Sequence, residues 1–521
     1  MIATPHYLAS FAGARILLKG GNAFDAAVAA NAVLNVVYPH NCSPGGDAFW
    51  LIFESKTGKL RALNGSGRSP YGATRSSFNE RGLSRIPLRG ILSVTVPGTV
   101  DSWCTVLEEH GGMKLSELLE PAIHYAQNGF PVSEKLSEAI RDNASILSAN
   151  QYAAKIFLRG GKVPEPGEIL IQEDLARTFK EIAAQGRDAF YRGKISKAIV
   201  HFSRQIGGLL SEEDFADHRS DWVEPISTTY RDYDVYAFPP NSQGITTLLE
   251  LNLVEGFDPR MLGYLSADLI HLLVEAKKLA FADRDRYISD PEKVKVPVRE
   301  LLSKDYATRR REEINSQRAM VSARPGNPVG GDTIYLAIVD KEGNAVSLIQ
   351  SIYFPFGSGL VAGDTGILLQ NRGAYFSLEE DHVNRLEPGK RTLHTLAPAM
   401  MFKDDRLRMV FGTMGGDGQP QTHLQLIVNI LDFKMNVQEA IEAPRWRHGR
   451  VTIGESQDLL YLEEGISPDV AKRLQEIGHR IEILNRWNEN FGHAQAILVN
   501  PRNNVLMGGA DPRGDGVALG W

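Results

Sequence analysis

Residues 330–351 read GGDTIYLAIVDKEGNAVSLIQS, the pattern of one β-hairpin. Ile334, Leu336 and Ile338 alternate with Tyr335, Ala337 and Val339, so both faces of the first strand are apolar and both call for cover. Asp340 to Asn344 (DKEGN) is turn chemistry, with Gly343 or Asn344 able to take positive φ. A five-residue loop pairs Val339 with Ala345 and, counted back, Thr333 with Ser351. Opposed side chains stand about 5 Å apart at Cβ, so two hydroxyls meet at the open end of the hairpin. A slip of one residue would separate them. Taken alone, Thr333 is simply a good strand former.

The composition is that of an ordinary globular chain: 521 residues, 43% hydrophobic, 23% charged, formal net charge −6. That balance argues against nucleic acid as a partner, and the densest basic run, YATRRREEINSQR (306–318), is followed at once by Glu312 and Glu313, as on a solvated helix face. No apolar run approaches the roughly 18 residues that span a bilayer. The first segment, MIATPHYLASFAGARILLKG, lacks a basic n-region, so no signal peptide is read and a cytoplasmic location is expected. Cys42 and Cys104 are too few and too distant for a disulfide framework or zinc site and read as small buried hydrophobes.

Elsewhere, residues 9–40 predict two helices, closed by Gly20-Gly21 and opened by Asn22 as N-cap. DAFWLIFESKTGKLRALN (47–64) predicts a hairpin, and residues 113–218 are largely helical. SADLIHLLVEAKKLAFADRDRYISDP (266–291) predicts a long amphipathic helix stopped by Pro291. VSARPGNPVGGD (321–332) has no periodicity and reads as a linker that ends at Thr333. Beyond it come two apolar strands, a third at RLRMVFGT (406–413), a helix from Gln419, and a strand–turn–strand pattern to Trp521. The expectation is an α+β fold with two sheets between helical layers.

There is no G-x-S-x-G, H-E-x-x-H or P-loop. His271 and Glu275 share a helix face at i,i+4, which as a single pair is read as hydrogen-bonded or solvated, and no metal or cofactor is expected. VFGTMGGDGQPQTH (410–423) runs from strand through Gly415-Gly416 into a helix with Pro420 in its first turn. Such a junction lets backbone N–H groups approach an anion; it is also what any tight strand–helix turn looks like.

Several segments in order, GGNAFDAAVAANAVLNVVYPHNCSPGGDAF (20–49), VPGTVDSW (96–103), EAKKLAFADRDRYISDP (275–291), GDT (331–333), GSGLVAGDTGILLQN (357–371) and GGADPRGDG (508–516), resemble the γ-glutamyltranspeptidase family, including its cephalosporin-acylase-like members. The resemblance implies an N-terminal-nucleophile hydrolase with an αββα sandwich, made as one precursor that cleaves itself at Asp332–Thr333. It implies chains 1–332 and 333–521 intertwined in one domain as a heterodimer, with a dimer of heterodimers as the larger assembly in view. It further implies Thr333 as nucleophile with its own α-amine as base, Ser351 as a second hydroxyl, and Gly415 and Gly416 as the oxyanion hole, without cofactor. The substrate would be a small γ-glutamyl or glutaryl-type amide, with water or an amine as acceptor.

The departures bear on substrate. Family members that grip a glutamyl α-amino group do so with Asn and Asp, where this chain has Tyr353 and Tyr375. An adjacent serine pair corresponds to His394-Thr395. The family's carboxylate-binding arginine has no residue in register; Arg68 lies two positions late, and Arg372 is a second basic candidate. The segment after Phe376 is short, so a lid loop is not expected. Residues 351 and 353, two apart on one strand, are expected on the same face. Glutaryl amides are therefore expected over γ-glutamyl amides, the alternatives being a glutathione hydrolase or γ-glutamyltransferase proper, or an unprocessed paralogue that binds or supports structure.

Overall fold

The two faces of the 330–351 hairpin go to different layers. In a computed structural model, which describes residues 1–321, 332–449, 456 and 458–521, Asp332–Val339 and Ala345–Tyr353 pair antiparallel with Val339 opposite Ala345 and Ile334 opposite Gln350. Gly343, at φ 86°, takes the left-handed position in the turn. Ile334, Leu336 and Ile338 join a core with the residues of the helix Ala23–Val37. Tyr335, Ala337 and Val339 pack instead with Phe49, Leu51, Met400, Val410 and Ile497. Residues 322–331, with the Gly330-Gly331 pair of the expected linker, lie outside the described residues, and so do the side chains of Asp332 and Thr333.

This division generates four layers. One seven-stranded sheet runs, in order, Val517–Leu519, Ile2–Thr4, Asp332–Val339, Ala345–Tyr353, Asp47–Glu54, Lys59–Gly65 and Asp221–Val223. A six-stranded sheet runs Leu506–Ala510, Ala494–Val499, Arg406–Thr413, Ala399–Lys403, Tyr233–Ala237 and Ile226–Tyr230. Helices, among them Tyr7–Leu18, Ala23–Val37 and Leu115–Asn128, cover the outer face of the first sheet. Gly244–Val254, Ala267–Tyr287 and Gln419–Leu431 cover the outer face of the second. The fold is thus the expected α+β sandwich of two sheets between helical layers. Both sheets take strands from before and after residue 332.

Local signals hold where they are strong. Asn22 caps Ala23–Val37 through a reciprocal capping box with Asp25, Cys42 and Cys104 are buried and unpaired by disulfide, and the strand 406–413 and the helix from Gln419 stand where the sequence put them. The helix expected over 266–291 is shorter, Ala267–Tyr287, and its C-cap Ile288 turns extended before Pro291 is reached. Nor is it amphipathic: it is buried almost continuously from Ala267 to Arg284, because it packs against the helix Gly244–Val254 and is covered further by Pro468–Glu476 and Trp446–His448. Among the described residues no helix is long and apolar enough to cross a membrane.

Two expectations about the hairpin's open end are corrected. Beyond Gln350 the ladder slips by one, so that Tyr353 stands opposite Asp332. Ser351 and Ile352 thus share the place facing the Thr333 backbone, a β-bulge in place of a simple Thr333–Ser351 pair. Tyr353 itself has φ 83°, which takes it off the strand path, so the two-residue period no longer puts 351 and 353 on one face.

The hairpin is tied to its helical cover by one polar network. The Gln350 side chain accepts from Asn31 Nδ2 at 2.8 Å and donates to Asn35 Oδ1 at 2.6 Å and to the Ser43 carbonyl at 2.7 Å. Asn31 in turn accepts from Trp103 Nε1 at 2.7 Å. All are buried. Each buried polar group left without a partner costs about 1–3 kcal/mol, so Gln350→Leu, which strands three of them, should cost roughly 3 kcal/mol or more and lower the thermal midpoint by several degrees. An unchanged midpoint in a scanning calorimeter would show that the network adds nothing to stability.

Candidate active site

The turn after Arg406–Thr413 needs glycine for a steric reason. Gly415 has φ 122° and Gly416 φ 51°, values L side chains rarely adopt. A Cβ on Gly415 would also lie 3.2 Å from Gly492 Cα. A short 3₁₀ turn, Gly416–Gly418, leads into Gln419–Leu431 with Pro420 in its first turn. The turn is held from below by Gln243, whose Nε2 donates to the carbonyls of Gly416 and Thr395, both at 2.8 Å.

A cluster of buried charge stands beside this turn. Asp417 Oδ1 accepts from Arg284 Nη1 at 2.7 Å and from the Tyr375 hydroxyl at 3.2 Å, and Arg284 Nη1 also donates to Gln243 Oε1 at 2.7 Å. Burial works against the Arg284 charge, yet Asp285 and Asp417 outweigh it and hold the guanidinium above its usual value. Burial lifts the Tyr375 phenol well above its normal range, and Asp417 adds to the shift. It stays a neutral donor.

Arg372 is the other cation, and its situation differs. It is fully buried. Nη1 donates to Thr395 Oγ1 at 3.1 Å, and the guanidinium carbon lies 4.4 Å from the Tyr353 ring centre and 5.7 Å from that of Tyr375, the two rings being 4.9 Å apart. Nε and Nη2 have no hydrogen-bond partner among the described residues. Burial depresses its pKa, against the pull of Tyr375 and Asp47. Nε–H and Nη2–H form the side-on fork by which arginine takes a carboxylate in two parallel bonds.

Behind the hairpin, Asp47 is the cross-strand Cα partner of Ser351. Its Oδ1 accepts from the Gly67 N–H at 2.8 Å and from Gln370 Nε2 at 2.9 Å, and its Oδ2 lies 3.0 Å from His394 Nε2. The Leu396 N–H donates to His394 Nδ1 at 3.3 Å, so the ring proton is on Nε2 and is donated to Asp47. Burial raises the Asp47 carboxyl to about 7, opposed chiefly by Arg372, and pushes the His394 imidazole well below its ordinary range. Ser351 Oγ accepts from the Tyr353 N–H at 2.7 Å. The positive φ at Tyr353 costs on the order of 1–3 kcal/mol.

The structure therefore brings Tyr353, Arg372, Tyr375, Thr395 and Gly416 together, with Gly415 next to Gly416, and links His394 to the strand of Ser351 through Asp47. It does not bring Arg68 to them. The Arg68 guanidinium pairs with Asp221 at 3.1 Å and Glu292 at 3.2 Å and lines a separate cleft of about 760 Å³ with Arg187, Arg192 and His218. His271 and Glu275 are buried rather than solvated and lie near His479. Each is already engaged: His271 with His479 at 2.8 Å and the Asn315 carbonyl at 2.7 Å, Glu275 with the Lys278 ammonium at 2.7 Å. That ammonium already meets the charge a cation would balance. Asp47, Gln243, Arg284 and Asp417 carry much of the site's order and were not singled out from sequence. Arg284 sits in ADRDRY, which reads as the charged end of a surface helix; Asp417 sits between glycines, where a polar residue needs no explanation.

Comparison with known proteins adds three findings. The family model described as Gamma-glutamyltranspeptidase matches residues 9–521. The chain is 49% identical over its full length to a Glutathione hydrolase-like YwrD proenzyme of Bacillus subtilis, covering 98% of that protein, and 38% identical to an Oxamate amidohydrolase proenzyme of Klebsiella pneumoniae, again over all of this chain and 98% of the relative. A crystal structure of cephalosporin acylase from Bacillus halodurans superposes with a TM-score of 0.93 at 40% identity, covering all of this chain and 95% of that one.

The raised Asp47 carboxyl has a sign. A group that holds its proton to about 7 when folded, but only to about 4 when unfolded, contributes stability below pH 4 that is lost as pH rises toward 7. The loss approaches about 1.4 kcal/mol per pH unit across that window. Asp47→Asn should remove this component, so the difference between wild-type and mutant thermal midpoints should change steadily from pH 4 to pH 7 and level off above. Parallel midpoint curves would show that Asp47 is ionised throughout.

Proposed function

Since the chain belongs to the γ-glutamyltranspeptidase family and is an amidohydrolase or acylase of that family, we propose that it is a self-processing amidase for acyl groups that carry a carboxylate, of the glutaryl type, and lack an α-ammonium. In the cleavage of Asp332–Thr333 the Thr333 hydroxyl attacks the Asp332 carbonyl, so that the acyl group moves from nitrogen to oxygen and the α-amine of Thr333 is freed. Water then opens the ester, leaving the Asp332 carboxylate and the free hydroxyl. In turnover that amine takes the hydroxyl proton as Thr333 Oγ attacks the substrate carbonyl. The backbone N–H groups of Gly415 and Gly416 hold the oxyanion, a contribution of about 3 kcal/mol per donor. The proton passes to the leaving amine, and water, or an acceptor amine, releases the acyl group. Ser351 supports the α-amine. The mature enzyme is a heterodimer of 1–332 and 333–521.

The observation that carries the substrate reading is the pair of donors on buried Arg372 that have no partner among the described residues. A carboxylate meets them in a fork and relieves the cost of a desolvated cation without an acid partner. An α-ammonium has no such welcome: Asp417 is committed to Arg284 and Tyr375, and a cation brought beside Arg372 and Arg284 meets two like charges. Tyr353 and Tyr375 offer ring faces to a cation, worth about 0.5–2 kcal/mol, but the Arg372 guanidinium already lies over Tyr353. The relative named oxamate amidohydrolase fits this reading, since oxamate is an amide that carries a carboxylate. Arg68, paired at the surface, is not needed for it.

Denatured wild-type protein should run as two chains of the sizes of 1–332 and 333–521 with Thr at the new N-terminus, and Thr333→Ala should remain one inactive chain. A fully active single chain would overturn self-processing. Ser351→Ala should slow turnover roughly 10- to 150-fold, the value of one hydrogen bond to a charged group.

Glutaryl anilide should exceed γ-glutamyl anilide in kcat/KM, and Arg372→Met should abolish that preference by lowering glutaryl activity about 10- to 100-fold. Equal or better hydrolysis of the γ-glutamyl compound by wild type would sink the reading.

A further inference from the structure

Tyr353 reaches the site through a turn that a bulky residue does not adopt unaided. In Tyr353-Phe354-Pro355-Phe356-Gly357, φ is 83° at Tyr353 and 59° at Phe356, so the surroundings must over-determine the path. Part of the bracing is backbone: Phe356 N–H donates to the His40 carbonyl at 2.7 Å, and Phe354 N–H to Asn371 Oδ1 at 3.0 Å. The rest comes from three consecutive residues that run alongside. Leu88 O accepts from Asn371 Nδ2 at 2.6 Å, and Gly90 N–H donates to the Ser358 carbonyl at 3.0 Å. Between them, Arg89 Nη1 donates to the carbonyls of both Pro355 and Gly357. The Arg89 guanidinium lies 5.0 Å from the centre of the Phe354 ring, and its Nη2 reaches Asn143 Oδ1 at 3.3 Å.

Arg89 is half-buried and makes no ion pair with a carboxylate among the described residues. Burial lowers its pKa to about 10, still charged at neutral pH. A surface arginine has no reason to sit so; one aimed at two carbonyls that flank a strained turn does. We propose that Arg89 is a positioning residue for acyl recognition: it locks the left-handed turn that lays the Tyr353 ring against Arg372, and so sets the direction of the Arg372 fork. Arg89 touches neither substrate nor nucleophile and acts through Tyr353. The proposal rests on reading Arg372 as the carboxylate site.

The test compares Arg89→Ala, Arg89→Lys and Arg372→Met with wild type as mature protein, using glutaryl anilide against butyryl anilide, which lacks the carboxylate. Arg89→Ala should raise KM for glutaryl anilide about tenfold or more while kcat falls less than about threefold, with KM for butyryl anilide and self-cleavage unchanged. Arg89→Lys should restore most of the loss, because one ammonium can donate to both carbonyls. Millimolar guanidinium ion should lower KM in Arg89→Ala and not in wild type. An unchanged glutaryl KM in Arg89→Ala, or an equal loss on both substrates without rescue by lysine or guanidinium, overturns the proposal. If Arg89→Ala does not accumulate as folded protein, Arg89→Gln, which can donate to one of the two carbonyls, should give an intermediate glutaryl KM, and a wild-type KM there overturns it too. Arg372→Met separates the two readings: intact glutaryl preference in that variant removes the carboxylate site itself, whereas lost preference there with none lost in Arg89→Ala removes only the role of Arg89.

Discussion

A hairpin that is apolar on both faces cannot meet water on either. That constraint shapes the molecule. The strand Asp332–Val339 gives Ile334, Leu336 and Ile338 to one core and Tyr335, Ala337 and Val339 to another, so one face must be covered by helices and the other by a second sheet. The second sheet has its own outer face to cover and recruits the helices of the third core. Four layers follow from two alternating rows of side chains. Apart from the Tyr335 and Ser347 hydroxyls, which bond to each other, the polar side chains of the hairpin gather at its ends, and at the open one the ladder loosens into a bulge between Gln350 and Tyr353. Chemistry gathers at the mouth of the hairpin because the rest of it has no room for chemistry.

The charges at that mouth are balanced unequally. Arg284 is held above its usual pKa by Asp285 and Asp417, while Arg372, equally buried, falls below. Arg284 is paired with two carboxylates and leaves only Nη2 without a hydrogen-bond partner among the described residues; Arg372 makes no ion pair and leaves both Nε and Nη2 without one among them. A buried cation in this state is costly to fold around, and the chain offsets the cost with two aromatic rings and the Thr395 hydroxyl. Residual cost of this kind is what a complementary anion relieves, which is why a buried arginine with no carboxylate partner speaks about ligand charge where one paired with two does not.

Much of this was legible in the sequence, and the failures have physical reasons. The hairpin register to Ile334, the strand 406–413, the Asn22 cap and the Gly415-Gly416 turn rest on local periodicity and on φ values few residues adopt. The bulge at Ser351-Ile352 could not be read, because a slip of one residue moves a side chain between faces that are both apolar, and the pattern carries no penalty for it. The helix of residues 267–287 reads as amphipathic because Lys277, Lys278 and Arg284 look like a solvated side; partners more than 100 residues away, Asp417 for Arg284 and His448 for Lys277, are what let those two be buried. Asp47 faces Ser351 across a strand pair nearly 300 residues apart in sequence. Arg372 was legible as a basic residue in the right segment, but its open donors were not, since satisfaction is a property of neighbours.

The residues proposed to recognise the substrate also constrain one another, so the pocket cannot be understood one substitution at a time. Tyr375 donates to Asp417 and lies tilted against Tyr353; Tyr353 underlies Arg372; Arg372 donates to Thr395, whose neighbour His394 is held by Asp47 behind the hairpin. A carboxylate placed at 375 would stand beside Asp417 and within the reach of Arg284 and Arg372. It would meet repulsion from the first and attraction from the two guanidinia before any substrate ammonium arrived, and its pairing with Arg372 would close the fork that takes an anion. An ammonium-binding pocket therefore requires that residue 372 be neutral at the same time as residue 375 is acidic, whereas an anion-binding pocket requires the reverse at both. The chain has the second combination at both positions, with the Tyr353 and Tyr375 rings beside the Arg372 guanidinium. The agreement of charge at 372 and 375, more than either residue singly, is what the proposed preference for an anionic acyl group rests on.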